Sequence, residues 1–552
     1  MKYEKVSVSM KKGKSTILTI LATLLVGLGY FYLQLPAINL QDPAFYGFFF
    51  SMAAVYFVLR LVFGGAELKQ APPQQIFKEV KRVALIPAIC CLVLVCIFLV
   101  GSLVSSPILR ARSFAQILTV QHSDFAEDVR EIGFDQIPML DAVSAARLGN
   151  RTLGELADVV SQFEVAQNYS QINFRGRPVR VAPLVYGDII KWFNNTAQGL
   201  PGYIIVDMVT QQAEVVRLEP GAYMRFSPSE FFFRNIDRHL RFRYPTFMFG
   251  DPVFELNDEG TPYWVAPRLA KRVGLFGGVD VQGAVLVNAI TGESQYYELH
   301  EIPTWANRVF SAALLIQQYD WYGMYSGGFF NSILGQQGVT RTTAGFNYIA
   351  KDDDVYLYTG ITSVGADASI VGILLVNQRT GQATFYAVAG ADEFAGMASA
   401  EGMVQHLRYR ATFPLLLNIA DQPTYFIALK DEWDIVWMYA MVNVAQSQIA
   451  AVAPTVGETE RLYREALLRQ GIIHVEEMVG VYAQGVIDEI RTAVLDGNTH
   501  YFIRLRGQDV FYVIAAVDVP YVVLLDVGDR VEIYHTGDAA GDLASAYRIV
   551  RR

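Results

Sequence analysis

The chain has 552 residues, 52% of them apolar, and a formal net charge of −9. At roughly 100–200 residues per domain, three to five units are expected. The acidic balance excludes nucleic acid as a partner, because that binding rests on clustered Lys and Arg, and it argues against tight contact of the soluble part with anionic lipid.

The apolar excess is concentrated before about residue 106, where Thr16–Pro36, Phe45–Phe63 and Val83–Val104 each exceed the ~18 apolar residues needed to cross a bilayer as a helix. Lys11, Lys12 and Lys14 precede the first run as they would in a signal peptide. Its apolar core is longer than the roughly 7–15 residues of a signal sequence, and two more runs follow without a small-x-small cleavage site between them, so an uncleaved anchor over 1–106 is expected. The N-terminal tail and the second connection carry basic residues (Lys2 and Lys5; Lys69, Lys78, Lys81 and Arg82), whereas the first connection has none. Basic loops stay inside, which predicts a multi-pass cell-membrane protein with a cytoplasmic N-terminus and everything after about Ser105 extracytoplasmic. Arg60 lies near enough to a helix end to snorkel. Cys90, Cys91 and Cys96 all fall in the third run, where they read as small apolar packing residues. A long exported region without cysteine implies a core that folds without disulfides.

Residues 107 to about 175 read as mostly helical. Within "LDAVSAARLGNRTLGELADVVSQFEV" the helical spacing of Leu140, Val143, Ala146 and Leu148 breaks at Gly149–Asn150 and restarts at Leu153, Leu156 and Val159, which predicts two short helices. From about Ile172 the pattern changes to strands, and one phrase occurs three times: "GYIIVDMVTQQAEVVRL", "GAVLVNAITGESQYYEL" and "GILLVNQRTGQATFYAV". The copies align on Asp207, Asn288 and Asn377, each followed three positions later by Thr210, Thr291 and Thr380, with Gly292 and Gly381 next in two of them. Asp or Asn bonding forward to its own turn, Thr doing so more weakly, and Gly supplying positive φ make a tight hairpin. Turn chemistry alone therefore explains the repeated residues.

The aromatic strands upstream of the phrase also recur, and Gln422–Val444 repeats that half, after which the turn phrase is expected to have decayed into "AAVAPTVGETERLYREALLRQG" with a terminal helix. The resulting organisation is a set of α+β modules at roughly 80–90-residue spacing, each a helix on an antiparallel sheet. The expected boundaries are 107–240 for the helical lead-in and first module, 241–310 for the second, 311–400 for the third and 401–470 for a degenerate fourth. From 471 to 552, five short strands separated by turns at Asp496-Gly497-Asn498 and Val527-Gly528-Asp529 read as an OB-like barrel. Its acidic balance favours a structural or protein-binding role over single-strand binding. The fold class expected is N-terminal transmembrane helices, an α+β ectodomain of repeated antiparallel-sheet and helix modules, and a C-terminal all-β OB-like barrel.

The turns in "VLVNAITGE" and "LLVNQRTGQ", with an aromatic strand and a helix before them, resemble the PepSY-type, cystatin-like module of exported bacterial proteins. Longer phrases such as "FRYPTFMFGDPVFELNDEGTPYWVAP" and "FPLLLNIADQPTYF" are similar to a family of membrane-anchored proteins of Gram-positive bacteria that has no characterised activity. The resemblance implies a bacterial, anchored ectodomain and, from some PepSY relatives, regulation of an exported protease.

Chemistry-bearing motifs are few. "GKST" at Gly13–Thr16 ends like a phosphate loop, but Val8 stands where the first Gly belongs and a membrane helix follows. Neither G-x-S-x-G nor H-E-x-x-H occurs. Asp352, Asp353 and Asp354 suggest Ca²⁺, a hard cation that takes oxygen ligands, or else a solvated hairpin tip; no other cofactor is expected. Asn257–Gly260 reads as a similar turn, and Glu255 with Glu259 suggests paired carboxylates for glycoside chemistry. Tyr319, Trp321, Tyr322, Tyr325, Phe329 and Phe330 lie among Gly and amides in Gln317–Gly338, a mixture that suits core packing, a protein interface or a small-ligand site. The expected function is binding or scaffolding at the cell envelope, through self-assembly or capture of another envelope protein, without catalysis. Protease regulation and wall-glycan hydrolysis or binding are the alternatives.

Overall fold

Three apolar helices begin the chain: α1 (Lys2–Gln34), α2 (Pro43–Leu68) and α3 (Pro73–Val104). Each holds a stretch long and apolar enough to cross a membrane, Ser15–Gln34, Pro43–Phe63 and Val80–Val104. Arg60, in the second of these stretches, donates from Nη1 to Ser15 Oγ at 2.7 Å. Its charge therefore has a polar neighbour on the adjacent helix. The structure, a computed structural model, describes residues 2–68, 73–131, 137–138, 140–155, 160–365, 369–473, 481–495, 498–516, 519–540 and 543–552. It contains two compact units, 1–460 and 461–552.

After α3 come α4 (Pro107–Ala115), β1 (Val120–Ser123) and one helical turn, α5 (Phe125–Asp128). Four mainly antiparallel sheets then follow, each preceded by a helix. The first has α6 (Ala142–Gly154) before β2 (Phe163–Val165), β3 (Ser170–Phe174), β4 (Arg177–Tyr186), β5 (Gly202–Asp207) and β6 (Ala213–Arg217), with α7 (Ile189–Asn195) inserted after β4. The second has α8 (Ile236–Arg243) before β7 (Met248–Phe249), β8 (Val253–Leu256), β9 (Pro262–Val273), β10 (Gly277–Asn288) and β11 (Ser294–Glu298). In the third, α9 (Ala312–Tyr325) precedes β12 (Thr340–Thr342), β13 (Asn347–Lys351), β14 (Asp354–Ser363), β16 (Gly372–Asn377) and β17 (Ala383–Tyr386), while β15 (Ser369–Ile370) and β18 (Gly390–Ala391) pair with each other as a separate two-stranded sheet. The fourth has α10 (Glu393–Met403) before β19 (Arg410–Ala411), β20 (Leu415–Ile419), β21 (Gln422–Lys430), β22 (Val436–Asn443) and β23 (Ala450–Ala453), and α11 (Val456–Arg469) follows.

The four sheets share one pairing pattern. A long strand (β4, β9, β14 or β21) pairs along one edge with two short strands in succession and along the other with the next long strand, which pairs with the last. Its hydrophobic logic is local: β4, β14 and β21 are buried on nearly every residue, as expected of strands covered on both faces. Each preceding helix starts at a side-chain cap, Asp141, Asn235, Ser311 or Asp392, that accepts the backbone N–H three residues on. One core cluster joins the first and second sheets, and another joins the second and third.

Three features differ from the sequence-based expectation. α6 runs unbroken through Gly149–Asn150, because a side chain at Gly149 would strike the Tyr169 hydroxyl and Ile204; the glycine serves close packing and does not end the helix. Of the expected second helix, Leu156 and Val159 lie outside the described residues. β1 pairs in parallel with β17, so the lead-in completes the third sheet. The fourth sheet keeps the turn expected to have decayed: Asn443 Oδ1 accepts Gln446 N–H at 2.8 Å, and its N–H donates to Ile449 O at 2.9 Å.

Within the first unit the contacts run around a cycle. Tyr203 Oη donates to Gly260 O at 2.7 Å, from first to second module. Gln318 Nε2 donates to Val279 O at 3.0 Å, from third to second, and Asn347 Nδ2 to Pro414 O at 3.1 Å, from third to fourth. The fourth returns to the first through Lys430–Asp141 and through Arg147–Asp434 at 2.6 Å.

In the second unit β24 (Val481–Leu495), β25 (Asn498–Leu505), β26 (Phe511–Ala515), β27 (Arg530–Ala540) and β28 (Leu543–Arg551) close a barrel in the order β24-β25-β26-β28-β27. All pairs are antiparallel except β26 with β28. Ile487, Ile503, Leu505, Ile514, Val531 and Ile533 fill its interior. The expected turn residues Asp496 and Gly497 lie outside the described residues, and Gly528 has a positive φ of 102°.

Candidate functional site

A cleft of about 540 Å³ opens where the first, third and fourth modules meet beside the lead-in. That volume lies within the roughly 300–1,000 Å³ typical of ligand pockets. Tight hairpin turns supply much of its wall. The β3–β4 turn at Arg175-Gly176 and the β13–β14 turn at Asp352-Asp353 have positive φ at both residues, the mirror-image turn that matches strand twist. These turns place Asn173, Gly176 and Arg177 opposite Lys351, Asp352 and Asp353. The β5–β6 turn adds Asp207, Val209 and Thr210, the lead-in adds Asp128 and Arg130, and β20 contributes Leu415–Asn418.

The cleft has an apolar floor with a charged rim. Arg177 stands 3.8 Å from Asp207, and Lys351 Nζ stands 2.6 Å from Asp352. Burial opposes the Lys351 charge, yet the Asp352 carboxylate holds its ammonium above the ordinary value. Asn173 Nδ2 donates to Asp353 Oδ1 at 3.2 Å across the first and third modules. Tyr386 Oη donates to Asp128 Oδ2 at 3.0 Å, and burial together with that carboxylate pushes the phenol up. Each ion pair joins an exposed partner to a half-buried one, Arg177 to Asp207 and Asp352 to Lys351, so solvent screens it only on one side.

Of the residues singled out from sequence, Asp207, Thr210, Asp352 and Asp353 line this cleft. The other turn residues do not. Asn288 Oδ1 accepts the N–H of Ile290 and Thr291, and Asn377 Oδ1 those of Arg379 and Thr380, as Asp207 Oδ1 does those of Val209 and Thr210. Gly292 and Gly381 take positive φ, 76° and 74°, with the Phe226 and Phe310 rings packed where a side chain would stand. The carbonyl just after the Asx residue, Ala289 or Gln378, accepts two successive N–H groups from the connection that leads into the module, Arg225-Phe226 or Val309-Phe310. These turns are joints.

The three consecutive aspartates separate. Asp354 is buried and forms a forked pair with Arg379, 2.7 Å from both Nε and Nη2, while also accepting Asn377 Nδ2. Its oxygens are directed to the protein, whereas Asp352 and Asp353 sit on the turn. Among the described residues no group of three or more His, Cys, Asp or Glu side chains is placed to hold a metal ion. Glu255 and Glu259 separate as well. Glu255 has no exposure and accepts the backbone N–H groups of Asn307 and Arg308 at 2.7 Å each, whereas Glu259 is exposed in a turn. Burial raises the Glu255 carboxyl to about 7 against the pull of those bonds. Inaccessible to solvent, it holds a connection and has no route to a sugar.

The aromatic stretch divides in the same way. Tyr319 belongs to the core between the second and third sheets. Trp321 and Tyr325 are half-buried against Phe114 of α4, with ring centroids 5.1 and 6.1 Å away. Tyr322 is half-buried beside Tyr319, Phe329 is half-buried, and Phe330 is exposed. The residues that sequence reasoning missed, Asp128, Arg130, Asn173, Arg177, Lys351 and Asn418, share no motif; only the fold brings them together.

Compared with known protein families and with curated proteins, the chain matches none.

Proposed function

We propose that this chain is a membrane-anchored, extracytoplasmic binding protein of the bacterial cell envelope, held by α1–α3, that captures a segment of another envelope protein in the cleft between its modules. The cleft carries the reading. Its walls come from the lead-in and three modules, so its shape depends on the whole cycle of contacts, and it combines an apolar floor with carboxylates and cations along one rim. That is the chemistry of an extended peptide of mixed charge, and the acidic chain as a whole disfavours nucleic acid. The shared pairing pattern of the four sheets supports descent from one PepSY-like module. The barrel order, with its third and fifth strands parallel, supports an OB-like domain in a protein-binding role. Wall-glycan hydrolysis is disfavoured, since the acid pair that suggested it is split between interior and surface.

A photo-crosslinking residue in place of Thr210, in the full-length protein in its own membrane, tests this. The expected result is one discrete adduct with a second envelope protein, weakened by Lys351→Glu. An adduct pattern indifferent to Lys351→Glu, or none, contradicts it. An exported protease in the adduct selects the regulatory form of the reading.

A further inference from the structure

We propose that the four-module body rests on the bilayer itself, inserting two apolar projections into the outer leaflet beside the spans. The inference builds on the anchoring role of α1–α3 and concerns a surface that anchoring alone does not require.

The first projection combines α7 with the 3₁₀ turn Phe232–Arg234. Trp192 is buried, and around it Phe193, Phe231 and Phe232 gather at centroid distances of 4.7, 4.8 and 6.0 Å. Phe193 is 66% exposed, Ile190 68% and Phe232 62%. Phe232 also has a φ of 52°, a left-handed backbone that a bulky side chain adopts only under strain. Core packing does not account for an aromatic held strained and outward. This surface continues directly into a span: Tyr32, near the end of α1, meets Phe233 at 5.7 Å and Phe242 at 6.2 Å, and Phe31 meets Phe242 at 5.4 Å. Arg238 Nε donates to Tyr32 O at 3.3 Å and Arg241 Nε to Leu35 O at 2.9 Å, which fixes α8 against the helix end.

The second projection is the short helical turn after α9, with the π-helical turn Asn331–Gly335 at its end. Phe330 is 70% exposed and Leu334 80%, with Ile333 between them also exposed. It too is tied to a span. Phe114, on the helix that directly follows α3, packs on Trp321 and Tyr325 at the C-terminal end of α9, and Ser105 Oγ accepts Leu275 and Phe276 N–H at 2.8 and 3.0 Å. Ile108 and Leu109, also on α4, are exposed. The first projection thus adjoins the end of α1, and the second follows the end of α9 that packs on α4 directly after α3; amphipathic aromatic rings collect at such a lipid–water boundary. In water such apolar exposure is unfavourable, whereas among acyl chains it binds in proportion to its area. The occupant that the geometry selects is lipid, because each surface is continuous with one that already faces lipid.

The test uses the full-length chain with Cys90, Cys91 and Cys96 replaced by alanine, reconstituted in phosphatidylcholine vesicles. An environment-sensitive fluorophore is attached at Phe232→Cys, Leu334→Cys, Leu99→Cys within α3, or Glu259→Cys. Glu259 precedes the start of β9, whose other end meets the connection touching Ser105, so it stands roughly 35 Å away at about 3.3 Å per residue. Lipids carrying a quencher high on the acyl chain should dim the probes at 232, 334 and 99 by at least about two-fold relative to 259. Quenching at 99 with 232 and 334 as bright as 259 overturns the inference and leaves the anchor intact. Failure at 99 overturns the anchor and the inference together. Blue-shifted but unquenched emission that depends on protein concentration assigns the surface to a second copy of the chain and also overturns it.

Discussion

Glu255 Oε2 accepts the backbone N–H of Asn307 at 2.7 Å, so a fully buried carboxyl of the second module fixes the connection that leads into the third. Its carboxyl is raised by burial from the ordinary 4.5 to about 7. A group raised in the fold favours the folded state in its neutral form. The contribution is complete below about pH 4.5 and is lost as the pH climbs through 7, roughly 3 kcal/mol in all at about 1.4 kcal/mol per unit. Glu255→Gln removes that titration. Between about pH 5 and about pH 7.5, thermal unfolding of the detergent-solubilised chain should shift less in the variant than in the parent; parallel shifts contradict the assignment.

Gly292 combines a φ of 76° with the Phe226 ring where a side chain would stand. Gly292→Ala therefore costs about 1–2 kcal/mol for the backbone alone, and more for displacing the ring. Thr291→Ala, which removes one weak turn acceptor for Glu293 N–H at 3.2 Å, costs no more than about 1 kcal/mol. Melting temperatures of the two variants should separate in that order.

Gly149→Ala offers a test in which two effects oppose each other. Alanine is favoured over glycine in an exposed helix by about 1 kcal/mol. At Gly149 the new methyl meets the buried Tyr169 hydroxyl. The variant should be less stable than the parent despite the better helix former. A rise in melting temperature would show that Tyr169 moves aside at no cost.

The Asp354–Arg379 fork determines how the aspartate run responds to metal. Asp354→Ala leaves the half-buried Arg379 guanidinium and the buried Asn377 amide without their acceptor and should cost roughly 1–3 kcal/mol. Because Asp354 is already paired, millimolar Ca²⁺ should leave the melting temperature of the parent unchanged. An increase that EDTA reverses would show that calcium competes for the site.

What the sequence reveals follows the range of the interaction that determines it. The apolar helices and the Asx turns at Asp207, Asn288 and Asn377 are legible because hydropathy length and turn chemistry act within a few residues. Asn443 escapes notice because its turn is one residue longer, closing on Ile449 where Asn377 closes on Gln382. Gly149 looks like a helix end because its partner, Tyr169, is 20 positions away and silent in the local pattern. The parallel pairing of β1 with β17 joins residues about 260 positions apart, beyond any periodicity. Asp207, Thr210, Asp352 and Asp353 stand out as turn residues, yet nothing local shows that two hairpins face one another across a cleft. Asp354, their neighbour in sequence, is the first residue of β14 and turns inward to Arg379 and Asn377, partners more than 20 positions away.

Whether the cleft holds a partner is read from the native mass of the full-length protein extracted gently from its own membrane, alongside the double variant Arg177→Glu, Lys351→Glu. The parent should run as a complex with one other envelope protein, and the variant without it at a correspondingly lower mass. Equal masses for the two, whether of a lone chain or of a homomer, would contradict the account.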